Sequence, residues 1–557
     1  MVERFLKLLY QEIGGLHEAA FLLALFAFFS KILALLRDRL LAQHFGAGLE
    51  LDIYYAAFRI PDFIYVSLAS LVASAVLIPF IVHILDDRDR TKQFINTIFT
   101  VFFGAIVLVS AVVFFFMPQL SGLVAPGFTE DSLSELVLLS RIMIFSPFLL
   151  GLSGFFASIT QSLRRFFVYA LTPLLYNAGI IIGIIFFYPL WGLPGLAYGV
   201  VLGAILHMLI QIPVLIKSGI VPHFTFSIDW KKIREVLSLS LPRTVTLSAH
   251  HFVILVLVGL ASLMVEGSIS VFNLSFNLQS VPLSIIGVSY SIAAFPTLAK
   301  LLGSGRSADF VKHVVAAMRH IIFWSIPVIV LFVVLRAQIV RTILGTGEFG
   351  WEDTRLTAAA LALFSISILA QSLILLFVRG YYAAGETRKP LIINVASSLF
   401  VIVLAFFFVW LVREIPLVAY FMHSLFRVEG VSGTEILMLP LAFSLGVGVN
   451  VLVLWEFFRK DFSIATEGLG RVLRQSIFSS FLMGIVAYFA LQVFDDIFDI
   501  NTFLGIFGQG ALAGFLGIGA GILTLYLMDN TELSEIIVSL RRKFWKSEHL
   551  VPDQDEL

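Results

Sequence analysis

The chain has 557 residues, of which 59% are hydrophobic and 13% charged, with 56 phenylalanines and a mean hydropathy of +0.98. A water-soluble protein of this length could not hide so much apolar surface, so the solvent is lipid. The 37 basic and 37 acidic residues cancel and give no pull toward nucleic acid, and with no cysteine there is neither a disulfide framework nor a thiolate metal site.

Residues 1–17 read as a short interfacial helix, with Phe5, Leu8 and Leu9 apolar against Glu3, Arg4, Lys7 and Glu12. The first strongly apolar run starts near Ala19 and is too long for a cleaved signal, so the N-terminus is expected to be retained. Fourteen stretches follow that are long enough for the roughly 20 residues a membrane helix needs. They fall near 19–36, 56–84, 94–118, 133–161, 167–189, 194–216, 238–264, 268–298, 312–335, 355–378, 390–412, 433–457, 473–494 and 504–527. The expected fold is therefore an all-α integral membrane protein.

Charge placement tests that count, because cytoplasmic loops hold the excess of Lys and Arg. With the N-terminus inside, 26 of the 37 basic residues fall on the inner side. Seven fall outside: Arg37, Arg39, Arg336, Arg341, Arg355, Arg413 and Arg427. Lys31, Arg59, Arg141 and Arg243 lie within spans. A missed helix would invert the alternation, so both termini are expected in the cytoplasm.

The chain repeats itself. SAVLIP at Ser74 pairs with SIAAFP at Ser291, and PLLYN at Pro173 with PLIIN at Pro390, both at an offset of 217. Six spans separate each pair, which predicts two six-helix lobes in parallel repeat, an N-lobe over 18–220 and a C-lobe over 221–461. Spans 13 and 14 (462–528) stand outside the repeat, followed by a polar, partly disordered cytoplasmic tail over 529–557. Gly179 and Gly183, and Gly195, Gly199 and Gly203, repeat at four-residue spacing and predict close helix packing rather than a site.

No Walker A loop, GxSxG elbow or HExxH motif is present, which argues against an enzyme; no catalytic residue, metal or cofactor is expected. Asp86 with Asp87, and Asp495 with Asp496, read as solvated loop residues, and the sequon at Asn273 falls inside span 8. The polar material inside spans is the informative part, since a charge at a helix centre costs roughly 2.5–3.5 kcal/mol on insertion scales.

Between Lys31 and Asp62 the chain carries eight charges, among them Arg37, Asp38, Arg39, Asp52 and Arg59. Asp52, Tyr55, Arg59 and Asp62 follow at spacings of three and four, one stripe of a helix. In span 7, Arg243, Thr246 and His250 share a face behind Pro242; in span 8, Asn273, Asn277 and Ser280 do. These faces predict a central cavity between the lobes, lined by Lys31, Arg59 and Arg243, that binds something anionic. Arg37, Asp38, Arg39 and Asp52 are assigned to an external hinge around Gly46 and Gly48. The competing reading is structural: Arg59 with Asp62, and Arg37 with Asp38 or Asp52, as ion pairs pinning helices together. His250 and His251, like Arg141 and His207, read as packed polar residues, although a neutral histidine leaves proton carriage open.

The stretch RDRLLAQHFGAGLELDIYYAAFRIPD, with LVAPGF at Leu123, ALTPLLYNAGIIIG at Ala170 and GLAYGVVLGA at Gly195, resembles the MurJ/MviN lipid II flippases of the multidrug/oligosaccharidyl-lipid/polysaccharide superfamily. The resemblance runs over most of the N-lobe and weakens in the C-lobe. It implies a V-shaped flippase that carries lipid II, the undecaprenyl-pyrophosphate-linked disaccharide peptide of cell-wall synthesis, from the inner to the outer leaflet of the bacterial cytoplasmic membrane by alternating access. Cavity cations would hold the pyrophosphate, and spans 13 and 14 the lipid tail.

Carried over by position, Lys31 replaces a family arginine, Arg37 matches another, and Asp52 matches the acidic residue after the FGAG turn. Tyr65 and Asn277 stand where the family has arginines, and Ser70-Leu71-Val72 replaces its GEG. The expected substrate residues are thus Lys31, Arg37, Arg59, Arg243, His250, Asn273 and Asn277, and the gate Arg37, Asp38 and Asp52. Expected partners are lipid II and membrane lipids, with no nucleic acid, and the chain is expected to be a monomer. Alternatives are a flippase for another polyprenyl-pyrophosphate-linked glycan, a cation-coupled multidrug exporter, and a non-transporting scaffold. Membrane potential, or an ion gradient coupled through Asp52 or His250, would each supply energy.

Overall fold

A computed structural model describes residues 16–70, 74–84, 87–464 and 468–545. The expected interfacial helix falls almost entirely outside them. Every regular element among the described residues is helical. In chain order they are α1 (Leu16–Phe45), α2 (Leu49–Ala57), α3 (Arg59–Ala69), α4 (Ser74–Ile84), α5 (Arg88–Val124), α6 (Glu130–Met143), α7 (Phe145–Ser162) and α8 (Phe166–Ile182). Then come α9 (Tyr188–Trp191), α10 (Leu193–Leu209), α11 (Ile212–Ser218), α12 (Trp230–Ser262), α13 (Ser268–Leu283), α14 (Ser289–Gly303), α15 (Ser307–Val334) and α16 (Arg336–Leu344). The series ends with α17 (Trp351–Ser365), α18 (Ser367–Ala383), α19 (Arg388–Glu414), α20 (Pro416–Phe426), α21 (Met438–Asp461), α22 (Leu469–Asp495), α23 (Phe503–Leu527) and α24 (Thr531–Trp545).

Among the described residues twelve helical segments, from Arg88–Val124 to Phe503–Leu527, are long and apolar enough to cross a membrane, one for each expected span from the third to the fourteenth. The first two expected spans are helical as well. Span 1 is α1, which runs beyond the expected 19–36 as far as Phe45. Arg37, Asp38 and Arg39 therefore lie within a helix rather than in a hinge. Gly46 ends it at φ +57, and a Cβ there would stand 2.9 Å from the Glu348 carbonyl oxygen, so glycine is required both by conformation and by space. Span 2 is divided between α3 and α4. Other helices outrun the hydrocarbon because polar residues cap them: the Asp87 carboxylate accepts from the Arg90 amide at the start of α5, and Asp229 from the amides of Lys231 and Lys232 at the start of α12.

The chain divides into two compact units. One comprises Met1–Val281, Ile343–Phe364 and Glu386–Asn450. Within it Leu77, Ile81, Phe94, Ile98 and Phe155 form part of a buried core. The glycine pattern acts as its spacing predicts. A Cβ on Gly179 would lie 2.3 Å from Gly203 Cα, so α8 and α10 touch backbone to backbone, and one on Gly199 would lie 2.5 Å from the Cα of Gly183, the residue that follows α8. Gly199→Leu is expected to cost about 1–3 kcal/mol by overpacking and to lower the melting temperature of the purified protein, while Gly154→Ala, with nothing within 4 Å of its added Cβ, leaves it unchanged.

The second unit comprises Pro282–Thr342, Ser365–Gly385 and Val451–Leu557. Small residues again set its packing, since a Cβ on Gly517 would meet the Met483 carbonyl oxygen at 2.9 Å. The tail folds as far as it is described: Glu532 of α24 is 1% exposed and accepts from Arg319 Nε at 2.6 Å and Nη2 at 2.5 Å, and Leu533 packs on Phe323 and Leu525.

Candidate functional site

Ser270, Asn273, Asn277 and Ser280 follow along α13 at spacings of three, four and three, which places them on one face. Each meets a residue of the charged stretch between Lys31 and Asp62. The array lies wholly within the first unit.

The first rung is Asp52 of α2, only 2% exposed. One carboxylate oxygen accepts from the Gly267 amide at 2.7 Å; the other accepts from the Ser270 amide at 2.7 Å and the Ser270 hydroxyl at 2.6 Å. Asp52 thus caps the N-terminus of a helix more than two hundred residues away, where unpaired N–H groups and the helix dipole favour an anion. The FGAG turn is pressed against the same place: a Cβ on Gly267 would stand 1.9 Å from the Ala47 carbonyl oxygen. The turn is also held by Glu348 N–H donating to the Gln43 carbonyl at 3.1 Å and by Arg39 Nη1 donating to the Ile343 carbonyl at 3.1 Å.

At the second rung Arg59 Nη2 donates to Asn273 Oδ1, while Asn273 Nδ2 donates to the Ile269 carbonyl at 2.7 Å. Arg59 Nε is buried without a partner among the described residues. The third rung joins Asn277 Nδ2 to Asp38 Oδ2 at 3.1 Å. The other Asp38 oxygen accepts from Arg37 Nε at 2.9 Å and Nη2 at 2.7 Å, and Arg37 Nη1 reaches Asn177 Oδ1 at 3.3 Å. Where the resemblance implies an arginine at 277, a neutral amide serves instead, and the ion-pair partner of Asp38 among the described residues is Arg37. At the fourth rung Lys31 Nζ donates to Ser280 Oγ at 3.3 Å, and the Ser280 hydroxyl donates to the Asn277 carbonyl at 2.7 Å. A π-helical turn, Ser284–Val288, follows directly.

Two expected site residues stand apart from this array. Arg243 is half-buried on α12 and makes no hydrogen bond or ion pair among the described residues. His250 is exposed, with its ring 6.1 Å from that of Phe443 and 5.9 Å from that of His251. Helix α12 meets α3 through small hydroxyls instead, Ser67 with Ser248 at 2.9 Å and Ser70 donating to Thr244 at 2.8 Å. Arg141 and His207 are satisfied locally. Arg141 donates to the Phe114 carbonyl and lies 5.0 Å over that ring; the His207 ring meets Ser153 Oγ at 2.6 Å.

Sequence reasoning missed Ser270 and Asn177 as partners. Extending the α13 stripe one turn toward its N-terminus would have reached Ser270. Asn177 stands in a stretch that serves both as a repeat marker and as part of the family resemblance, and nothing local marks it as the acceptor for Arg37.

Twelve helical segments among the described residues long and apolar enough to cross a membrane define a multi-pass membrane protein. The fold agrees with that class: an inward-facing multidrug resistance MATE family transporter of the MOP superfamily covers 78% of this chain and 94% of its own at a TM-score of 0.63 and 15% identity. A structure of lipid II flippase MurJ in an inward closed conformation superposes more fully, with a TM-score of 0.72 over 93% of this chain and all of that one, at 24% identity. The family described as lipid II flippase MurJ matches residues 41–508. The probable lipid II flippase MurJ of Thermotoga maritima is 28% identical over 366 residues, 65% of this chain and 73% of that one. The chain belongs to the lipid II flippase MurJ family.

Proposed function

We propose that the chain moves lipid II from the inner to the outer leaflet by alternating access. Family membership supports the cargo, and one structural observation supports the mechanism. Lys31 and Arg59, both half-buried on apolar helices, are held by neutral acceptors, a serine hydroxyl and an asparagine amide oxygen. Pyrophosphate oxygens carry the negative charge that these acceptors lack, so that their bond to a guanidinium or ammonium is charged at both ends, and a lipid-linked pyrophosphate displaces the neutral acceptors without breaking an ion pair. Arg37 is held differently, by a carboxylate, and fits a gate with Asp38 and Asp52.

In this reading α13 forms the closed side of a cavity between an N-lobe (18–220) and a C-lobe (221–461). Arg243 enters the cavity only in the opposite state, and the 462–528 pair takes the lipid tail. Family membership supports a bacterial cytoplasmic-membrane location and the lysine and arginine bias both termini inside, and the chain works as a monomer in contact with membrane lipids. Mass spectrometry of co-purifying lipid tests the cargo. The wild-type chain is expected to carry lipid II, and Lys31→Ala with Arg59→Ala to retain at least about tenfold less, the loss of one hydrogen bond to a charged group. A different polyprenyl-linked glycan in the wild-type preparation would overturn the cargo assignment.

A further inference from the structure

Between α19 and α21 lies α20, a helix that neither the span count nor the transport reading uses. Its outward stripe is apolar: Leu417, Tyr420, Phe421 and Leu425 are 74%, 69%, 60% and 55% exposed. Their spacing puts them on one face. On the opposite face Met422 is buried and the His423 ring meets Thr434 Oγ1 at 2.6 Å. No Asp, Glu, Lys or Arg lies within the helix, whereas Arg413 and Glu414 precede it and Arg427 and Glu429 follow.

The connection fixes its depth. Only Ile415 separates the end of α19 from Pro416, so α20 starts where a membrane span ends, and Trp410, one turn earlier, is an exposed aromatic of the kind that sits at headgroup level. Held at that level, with its inner face packed on the protein in place of the charged face of a free-standing interfacial helix, the apolar stripe is placed to lie in the interface plane.

The same helix is tied to the turn that Asp52 grips. Arg413 pairs with Glu435 at 2.8 Å and donates to the Leu263 carbonyl at 3.4 Å. A Cβ on Gly433, the residue before Thr434, would stand 3.4 Å from Val265 Cβ and 3.8 Å from Ser268 Oγ. At its other end Arg355 of α17 donates to the carbonyls of Arg427 and Glu429 at 2.5 and 3.2 Å.

We propose that α20 is an interfacial lipid-binding helix, seated at the boundary of headgroups and acyl chains, and that its seating holds the 263–268 turn in place under Asp52. The inference needs only that α19 and α21 cross the bilayer, so it stands or falls separately from the cargo.

The chain has no cysteine, so single cysteines report cleanly. A spin label at Phe421→Cys in phosphatidylcholine/phosphatidylglycerol proteoliposomes is expected to collide several-fold more with oxygen than with a water-soluble nickel chelate. Dominant nickel collisions, or protection from both reagents by a protein partner, would overturn the lipid seat. Coupling is read at Ser268→Cys, a conservative exchange because the Ser268 hydroxyl is buried without a partner among the described residues. Adding Phe421→Glu and Leu425→Glu is expected to speed its labelling by a water-soluble maleimide several-fold, and an unchanged rate overturns the coupling. The spin-label result stands even if the double glutamate variant fails to fold.

Discussion

Asp52→Ala is expected to abolish function with the largest loss of any single change in the array. It removes the acceptor of three hydrogen bonds and leaves the amides of Gly267 and Ser270 orphaned at a buried helix N-terminus. An unsatisfied buried donor costs about 1–3 kcal/mol, and loss of a helix cap about 1 kcal/mol. The closed arrangement of α13 against α2 should weaken by several kcal/mol, visible as faster hydrogen exchange in the first turn of α13. Asp52→Asn keeps one acceptor oxygen and should show a smaller effect; equal exchange in wild type and Asp52→Ala would remove Asp52 from the gate.

Arg37→Ala has the second largest expected effect and separates the two readings of the charged stretch. It leaves Asp38, 3% exposed, with only the Asn277 amide for company among its hydrogen-bond partners. Breaking a buried pair by removing one member costs roughly 3–5 kcal/mol, most of it the stranded charge. The double change Arg37→Ala with Asp38→Asn removes that charge and should recover most of the lost thermal stability, a coupling measurable in a double-mutant cycle. If Arg37 only pins helices, transport returns with stability. If it acts on cargo or gate, stability returns and transport does not, which is the outcome the transporter reading predicts.

Much of this was legible in the sequence because lipid imposes a simple code. Apolar length and the lysine and arginine bias gave spans 3 to 14 near their observed positions, and the four-residue glycine spacing gave the α8–α10 contact. The same code misread the end of span 1. The run RDRLLAQHF is too charged to look like a buried helix, yet α1 continues through it because Asp38 and Arg37 satisfy each other and Arg39 reaches the backbone at Ile343. Pairing at long range was the least legible part. Arg59 and Asn273 are 214 residues apart, and Lys31 and Ser280 are 249 apart. A stripe shows that a helix face is polar, not which face of which helix answers it, so Arg243 looked equal to Arg59 although α12 meets α3 through serine and threonine. Ser270 continues the polar stripe of α13 by one turn, but only the structure shows its amide and hydroxyl both on one carboxylate.

Restoration of lipid II translocation in cells depleted of their own flippase tests the central claim most directly. The wild-type chain is expected to expose lipid II to an externally added cleaving enzyme at the rate needed for growth, and an equally expressed Lys31→Ala/Arg59→Ala variant to leave it in the inner leaflet. A folded, well-expressed wild-type chain that leaves lipid II inaccessible would contradict the account.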